Sequence, residues 1–444
     1  MNVQNWINEE RTLKRSKKGY AHFDYRTDVK ASADYITSPD KVAIHGFYPF
    51  IHYELKIVKY NKVKGKNPPK IRDICYAAHL DRCVYQLYNA ILNEKYISRI
   101  REDGISDVPV AYRTDLHKNN IDFAKRAFDF IRDKQSCFIM IGDFTGFFDN
   151  LDHKYLKQQW CSLLGEKHLP EDHYNVFKNI TKYSKWELAD LLKLNGLDDT
   201  HKSRKKLNSQ TLVISHEQYK ANRSMIIKNP NPYGIPQGSP ISALLANVYM
   251  LEVDKKVHDI VTSLNGLYMR YSDDFIIILP NIAKSAAEKK LSEIIELINQ
   301  TKGLTLQNEK TQFFSFDGTS VTNCSLDFNT NADNKNRSIN FLGFTFDGKD
   351  VTIRAKTITK YYYRMNRKAK GIAANNGISP KGKKISARNL YEKYSARGKK
   401  RNFLSYVALA KTTFKEPSIE RDTKRHMQKI RKAINRSKAD NSVN

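Results

Sequence analysis

Two apolar runs, Gly266-Leu267-Tyr268-Met269 and Phe275-Ile276-Ile277-Ile278-Leu279, flank the polar tetrapeptide Tyr271-Ser272-Asp273-Asp274. Short apolar runs on either side of a polar break predict strand, tight turn, strand. A third run, Phe138–Ile141, predicts another strand that ends at Gly142-Asp143. Elsewhere the period is helical. Across Ala77–Tyr96 it sets Leu80, Val84, Leu87, Tyr88, Ile91 and Leu92 on one broad face. A second helix is predicted from Ser239, with Ser239 as cap, Pro240 at the first helical position, and Leu244, Leu245, Val248, Tyr249 and Val253 following. A third covers about Ala283–Lys302, closed by Gly303. Residues 165–225 are more polar and, with Trp186, Leu188, Leu191 and Leu192, read as a helical insertion. Asn61–Lys70, which contains Pro68-Pro69, reads as a loop or strand connection.

Composition changes the picture chiefly through charge. The 444 residues carry a formal net charge of +29, and 40% are hydrophobic, enough for one large core or two to three ordinary ones. A field of that sign attracts polyanions, nucleic acid foremost. The excess is concentrated late: Arg354–Asn444 holds 26 Lys and Arg against 5 Asp and Glu, and includes Tyr361-Tyr362-Tyr363-Arg364. The tail beyond about Ser437 reads as disordered. No run approaches the roughly 18 apolar residues that span a bilayer, and Met1–Trp6 lacks the apolar core of a signal peptide. Cys75, Cys83, Cys137, Cys161 and Cys324 are scattered without a Cys-x-x-Cys, which argues for a reducing compartment, by default the cytoplasm.

Adjacent aspartates repel each other, so a fold that presents Asp273 and Asp274 together calls for a neutralising cation. Alone, such a pair is more often a solvated turn. Here Asp143 ends another strand, and a strand pairing would gather three carboxylates at one sheet edge. Hard oxygen donors without His or Cys suit Mg²⁺ or Mn²⁺. Two such ions about 3.5–4 Å apart serve in-line nucleotidyl transfer. His45, His52 and His153 have no partners of metal-ligand type in the sequence and read as structural. Asp149 and Asp152 read as helix-start or structural residues rather than ligands.

The run Asp143-Phe144-Thr145-Gly146-Phe147-Phe148-Asp149-Asn150-Leu151-Asp152-His153 resembles the first catalytic motif of reverse transcriptases of the bacterial retroelement type. Gly234-Ile235-Pro236-Gln237-Gly238-Ser239-Pro240-Ile241-Ser242 is similar to their template- and nucleotide-facing loop and helix, and Tyr271-Ser272-Asp273-Asp274 to their Tyr-x-Asp-Asp turn. The order continues through Leu304–Thr311 and Phe341-Leu342-Gly343-Phe344. Upstream, Lys70-x-Arg72 with Asp81-Arg82, then Tyr112-Arg113, resemble the family's fingers motifs. The likeness spans about residues 60–350.

That resemblance implies an α/β (α+β) right-hand polymerase fold. Residues 1–60 would form an N-terminal extension, 61–350 fingers and palm, and 351–444 a basic helical thumb and tail. It implies an RNA-directed DNA polymerase using two Mg²⁺ ions, with Mn²⁺ as a possible substitute. Asp143 and Asp273 would be the principal metal ligands, Asp274 a supporting one, and the Phe144 carbonyl an additional oxygen. Lys70, Arg72 and Arg82 would hold the triphosphate, or else be surface charges or internal ion-pair members. Phe148 would exclude a 2′-hydroxyl and favour dNTPs, or be a core phenylalanine. Gln237 and Gly238 would face the nucleotide, the glycine allowing close backbone approach. Lys310 would protonate leaving pyrophosphate or merely sit on a sheet edge. Phe341, Leu342 and Gly343 would grip primer and template, or form a plain β-turn.

Within the family, there is no Cys/His endonuclease module and no apparent RNase H-like carboxylate set, and no room for an integrase. Val351-Thr352-Ile353 lacks the glycine of the Val-Thr-Gly usual in retron enzymes. Gly19-Tyr20-Ala21-His22-Phe23-Asp24 and the basic C-terminal region look more like defence-associated, abortive-infection-like reverse transcriptases. The expected partners are then a cognate structured noncoding RNA as template, dNTPs and a DNA product, in antiphage defence and without a membrane. The alternatives are a retron- or intron-type enzyme, a template-independent nucleotidyltransferase, and a non-enzymatic RNA-binding scaffold.

Overall fold

The Phe50–Ile57 and Lys70–Tyr76 segments pair as antiparallel strands in a register that sets Leu55 opposite Arg72, Glu54 opposite Asp73 and His52 opposite Cys75. In the computed structural model, which describes residues 2–57, 60–61, 65–66, 69–328, 336–374, 388–398 and 401–442, they belong to a mixed α/β fold, the class expected from the sequence. The chain divides into two compact units. One comprises Met1–Tyr112, Phe144–His258 and Ile294–Leu306; the other comprises Arg113–Asp143, Asp259–Glu293 and Gln307–Asn444. Each is built from non-contiguous segments, so cuts at residues 60 and 350 do not separate them. Within the Asn61–Lys70 stretch a short ladder joins Tyr60–Asn61 to Gly65–Lys66, and residues 62–64 and 67–68 lie outside the described residues.

In the first unit the two strands extend into a four-stranded sheet through Ser184–Glu187 and Ile227–Lys228. Ser184–Glu187 runs parallel to Phe50–His52 and places Trp186 opposite Ile51. Trp186 is fully buried with Phe23, Ile51, Leu188, Leu191 and Leu192. The 165–225 region is largely helical, with helices Glu171–Thr181, Leu188–Leu194, His201–Asn208 and His216–Ala221. Its helices surround a strand integral to the sheet, too short to show a period within a polar sequence.

Helix His79–Glu102 buries Val84, Leu87, Tyr88, Leu92, Tyr96 and Ile100. Ala78 at its start offers no capping side chain. Asp24 caps it from a distance instead, its carboxylate accepting from the N–H groups of His79 (2.9 Å) and Leu80 (2.8 Å). Tyr20 adds a hydrogen bond to the Ala77 carbonyl at 2.8 Å, so the N-terminal stretch is built into this unit. The helix expected from Ser239 begins later, at Ser242, and runs to Tyr249. Ser239 does not cap it, because Gly238 to Ile241 complete a turn first. The Ser242 hydroxyl then donates to the Pro236 carbonyl at 2.7 Å.

The second unit is organised by a five-stranded antiparallel sheet in the order Val321–Asn323, Gln312–Phe316, Cys137–Asp143, Asp274–Pro280, Leu267–Tyr271. Ile139, Met140 and Phe275–Leu279 are almost fully buried. Gly142 is required where it stands, because a Cβ there would lie 2.2 Å from the ring of Phe275, its cross-strand partner. Helix Asn120–Arg132 starts on an Asn119/Asp122 capping box and buries Phe123, Ala124, Ala127, Phe128 and Ile131.

A three-stranded sheet, Ile339–Phe341, Phe344–Phe346 and Val351–Ile353, precedes the C-terminal helices Ala355–Ala374, Arg388–Tyr394, Phe403–Phe414 and His426–Ser442. Met365, Ala369, Leu390 and Ile430 form a small core among them. The last helix runs to Ser442, and residues 443–444 lie outside the described residues. Among the described residues no helix is long and apolar enough to cross a membrane.

Candidate functional site

The sheet of the second unit sets Asp143 directly opposite Asp274 in the antiparallel register. Asp274 opens its strand while Tyr271 closes the preceding one, so Ser272 and Asp273 form the two-residue turn. Ser272 has a left-handed φ of 62°, which the tight reversal demands. Fully buried Arg270 donates to the Ser272 carbonyl at 3.1 Å, fixing the turn from beneath. The sequence reading passed over Arg270; its signal is a lone cation in an apolar strand. Tyr271 packs near Phe123, with ring centroids 6.5 Å apart.

Lys310 forms an ion pair with Asp143 Oδ2. It is held there by a local turn, in which Gln307 N–H donates to the Asp143 carbonyl (2.8 Å) and the Lys310 and Thr311 N–H groups donate to Gln307 O (2.8 and 2.9 Å). Asp143 Oδ1 is buried and has no hydrogen-bond partner among the described residues. The Asp274 carboxyl is pushed up to about 6 by desolvation and then by Asp273 and Asp143, with Lys310 and Arg354 opposing. The residue nevertheless keeps an open face to solvent, which screens part of this effect.

These observations fit a cation: hard oxygen donors in register, an orphaned carboxylate oxygen, and an ammonium standing where positive charge is needed. Among the described residues no three His, Cys, Asp or Glu side chains are already arranged to hold an ion. The fit is one of donor type and strand register.

The first unit holds the residues expected to face a nucleotide. Lys70 and Arg72 are exposed, alternating onto one face of the Lys70–Tyr76 strand. The Gly234–Gly238 loop is strapped to that strand and to the Phe147–Asp149 turn. Cys75 N–H donates to Gln237 O at 2.8 Å, Ile235 N–H to Phe148 O at 2.9 Å, and Gly234 N–H to Leu151 O at 2.9 Å. Both glycines are obligatory. Gly234 (φ +88°) leaves no room for a Cβ against Asp149 O, and at Gly238 (φ +113°) a Cβ would lie 2.3 Å from Cys75 O. Phe148 is half-buried, edge-on to Phe147 at 5.7 Å, while Phe144 is buried and stacked on Phe147.

Arg82 needs correction. It is buried, and its guanidinium donates to the backbone carbonyls of Arg15 (3.2 Å) and Thr27 (3.5 Å). A side chain so committed ties the N-terminal stretch to the His79–Glu102 helix and is not presented to a triphosphate. The histidines have protein partners: His45 meets Asp81 at 2.9 Å, His52 lies between Asp73 and Glu187, and His153 bonds to the Gly234 carbonyl at 2.8 Å. Asp152 caps the His153–Leu164 helix. Asp149 has a larger part than the sequence suggested, since its carboxylate accepts from Gln237 Nε2 at 3.1 and 3.4 Å.

In the second unit Phe341 and Phe344 are buried, while Leu342 (φ 45°) and Gly343 (φ 93°) make the tight reversal between their strands. A leucine in that region is strained, and neighbours over-determine it. Asn120 Nδ2 donates to Leu342 O and to the Tyr406 hydroxyl (both 2.9 Å), and Arg354 N–H donates to Gly343 O at 3.0 Å. Among the C-terminal helices, a groove of about 890 Å³ is lined by Lys360, Arg364, Lys393, Arg401, Tyr361 and Phe403, among others.

The family described as "Reverse transcriptase (RNA-dependent DNA polymerase)" matches residues 63–346, more than half of the chain. Among curated proteins no sequence matches significantly. Solved structures similar in part include apo telomerase from Candida tropicalis truncated from the C-terminal domain, at 14% identity and TM-score 0.42, covering 73% of this chain and 59% of that one. The apo telomerase from Candida tropicalis (13%, TM-score 0.41) covers 99% of this chain and 62% of that chain. Telomerase from Candida albicans in complex with a fragment of telomeric RNA (12%, TM-score 0.37) covers 96% and 68%. The chain thus spans about three fifths of the length of the first two.

Proposed function

The chain belongs to the reverse transcriptase (RNA-dependent DNA polymerase) family, and from that premise we propose that it extends a 3′-hydroxyl with dNTPs on an RNA template. The observation that carries this reading is the carboxylate set of the second unit: Asp143 opposite Asp274, Asp273 in the turn between strands, and Lys310 against Asp143. Divalent-metal dependence is general in this family. Two Mg²⁺ ions, or Mn²⁺, would activate the attacking hydroxyl and stabilise the triphosphate and leaving pyrophosphate.

The residues then divide the work. Asp143 and Asp273 are the principal ligands, with Asp274 and the Phe144 carbonyl in support. Asp274, whose ionisation its neighbours oppose, is relieved of that opposition when positive charge is bound. Lys310 is proposed to pass a proton to the leaving pyrophosphate. Lys70 and Arg72 are proposed triphosphate donors, and Gly238 permits close backbone approach. Phe148, partly exposed, is a proposed steric bar to a 2′-hydroxyl. Phe341, Leu342 and Gly343 are proposed to grip the primer end. The basic, aromatic-lined groove among the C-terminal helices suits a strand whose phosphates meet Lys and Arg and whose bases stack on rings.

A cognate structured noncoding RNA and a role in antiphage defence are proposed on the Gly19–Asp24 segment, the departure at Val351-Thr352-Ile353 and the net charge. Five free cysteines support a cytoplasmic setting. Primer extension with dNTPs and with rNTPs, with and without RNA template, tests the reading. Template-dependent dNTP use is expected, and Phe148→Ala should admit rNTPs. Exclusive rNTP use, or equal incorporation without template, contradicts it.

A further inference from the structure

Gln237 and Asp149 are 88 residues apart in sequence and joined by a side-chain hydrogen bond. An ionised carboxylate only accepts, so the Gln237 NH₂ must face Asp149 and its Oε1 must face away. The backbones are fixed as well: Gln237 O accepts from Cys75 N–H, Ile235 N–H donates to Phe148 O, and Gly234 has no space for a Cβ against Asp149 O. The amide is therefore held at both ends, beside the half-buried Phe148 and on the loop expected to face the nucleotide. Desolvation pushes the Asp149 carboxyl above the ordinary range, while the Gln237 amide, by donating to it, and Lys70 oppose that rise and Asp73 adds to it.

We infer that Asp149 is a positioning residue for nucleotide selection, holding the Gln237 amide so that its free carbonyl oxygen accepts a hydrogen bond from a hydroxyl of the incoming nucleotide's sugar. This rests on the polymerase reading above and deepens it. A long, unrestrained glutamine loses rotamer freedom on binding, whereas one already tethered does not. Asp149 acts through Gln237 and touches no reacting atom.

The experiment is single-nucleotide incorporation by the full chain, comparing kcat/KM for a deoxynucleotide, its 2′,3′-dideoxy analogue and the ribonucleotide. Wild type should prefer the deoxynucleotide to the dideoxy analogue. Asp149→Ala should lower that preference by about three- to tenfold, the worth of one hydrogen bond, mostly by raising KM for the deoxynucleotide. Asp149→Asn, which keeps an acceptor and the residue's shape, should retain most of it, with folding followed by circular dichroism. Gln237→Ala should lose the preference, and adding Asp149→Ala to it should change nothing further. A ribonucleotide preference that responds while the dideoxy ratio does not assigns the 2′-hydroxyl instead of the 3′. All ratios unchanged in Asp149→Ala, or effects that simply add in the double variant, overturn the inference alone. A wild type that incorporates no nucleotide overturns both this and the polymerase reading.

Discussion

Lys310 sits in ion contact with Asp143, the strand-end carboxylate that faces Asp274 across the sheet. The ammonium brings positive charge to the carboxylates, as Arg354 does for Asp274, and it competes for the oxygen a divalent ion would use. Lys310→Met should therefore tighten Mn²⁺ binding measured by titration calorimetry. It should cost under about 1 kcal/mol of metal-free stability, because the pair is half open to solvent. It should also slow kcat by about a hundredfold if the ammonium serves as general acid. Unchanged Mn²⁺ affinity with wild-type turnover contradicts both roles.

Asp274 gives a pH signature of definite sign. Its carboxyl is raised to about 6 in the folded chain from an ordinary 3.8. The folded state thus binds that proton more tightly than the unfolded chain, and ionised Asp274 weighs against folding above pH 6. The penalty fades as pH falls through 6 and is gone below about 3.8. In EDTA, Asp274→Asn should melt higher than wild type at pH 8, with the gap closing towards pH 4. A gap that widens on acidification contradicts this.

Arg72 and Arg82 should separate cleanly. Arg82 is buried against the Arg15 and Thr27 carbonyls, so Arg82→Met should cost about 2–3 kcal/mol of stability in denaturant titration. In the folded fraction, KM for dNTP should be nearly unchanged. Arg72→Ala should do the reverse, leaving stability within about 0.5 kcal/mol and raising KM tenfold or more. The opposite pattern would restore Arg82 to the triphosphate set.

Much of the second unit was legible because its elements are local. The Phe138–Ile141 run and the Tyr271–Asp274 turn carry their signal in a few residues each, and in the first unit the helical face carries its period over the twenty residues 77–96; all formed as strand, turn and helix. Register followed from chemistry, since three carboxylates gather only if Asp143 ends beside the hairpin. What stayed hidden depends on distant partners. Arg82 is committed by carbonyls 67 and 55 residues away. Ser184–Glu187 is a strand only because Ile51 receives Trp186. Ser239 gave a sound capping signal, but the Gln237–Cys75 backbone bond commits the following residues to a turn before helix begins. Asp149 was read as a helix-start residue because nothing near it in sequence reveals Gln237.

The groove among the C-terminal helices sets a salt dependence. If Arg364 and Lys393 contact phosphates, log K for RNA should fall steeply with log salt. Arg364→Ala with Lys393→Ala should flatten the slope by about 1.5–2. Filter binding across a salt series measures it, and an unaltered slope removes the groove as a phosphate-contacting surface.

The central claim is that Asp143, Asp273 and Asp274 form the centre that adds nucleotides. Its most direct test is dNTP incorporation on a primed RNA by Asp273→Ala/Asp274→Ala beside wild type, with RNA affinity measured on the same preparations. Incorporation should fall below detection while RNA affinity stays within about twofold. Undiminished synthesis by the double variant would contradict the assignment outright.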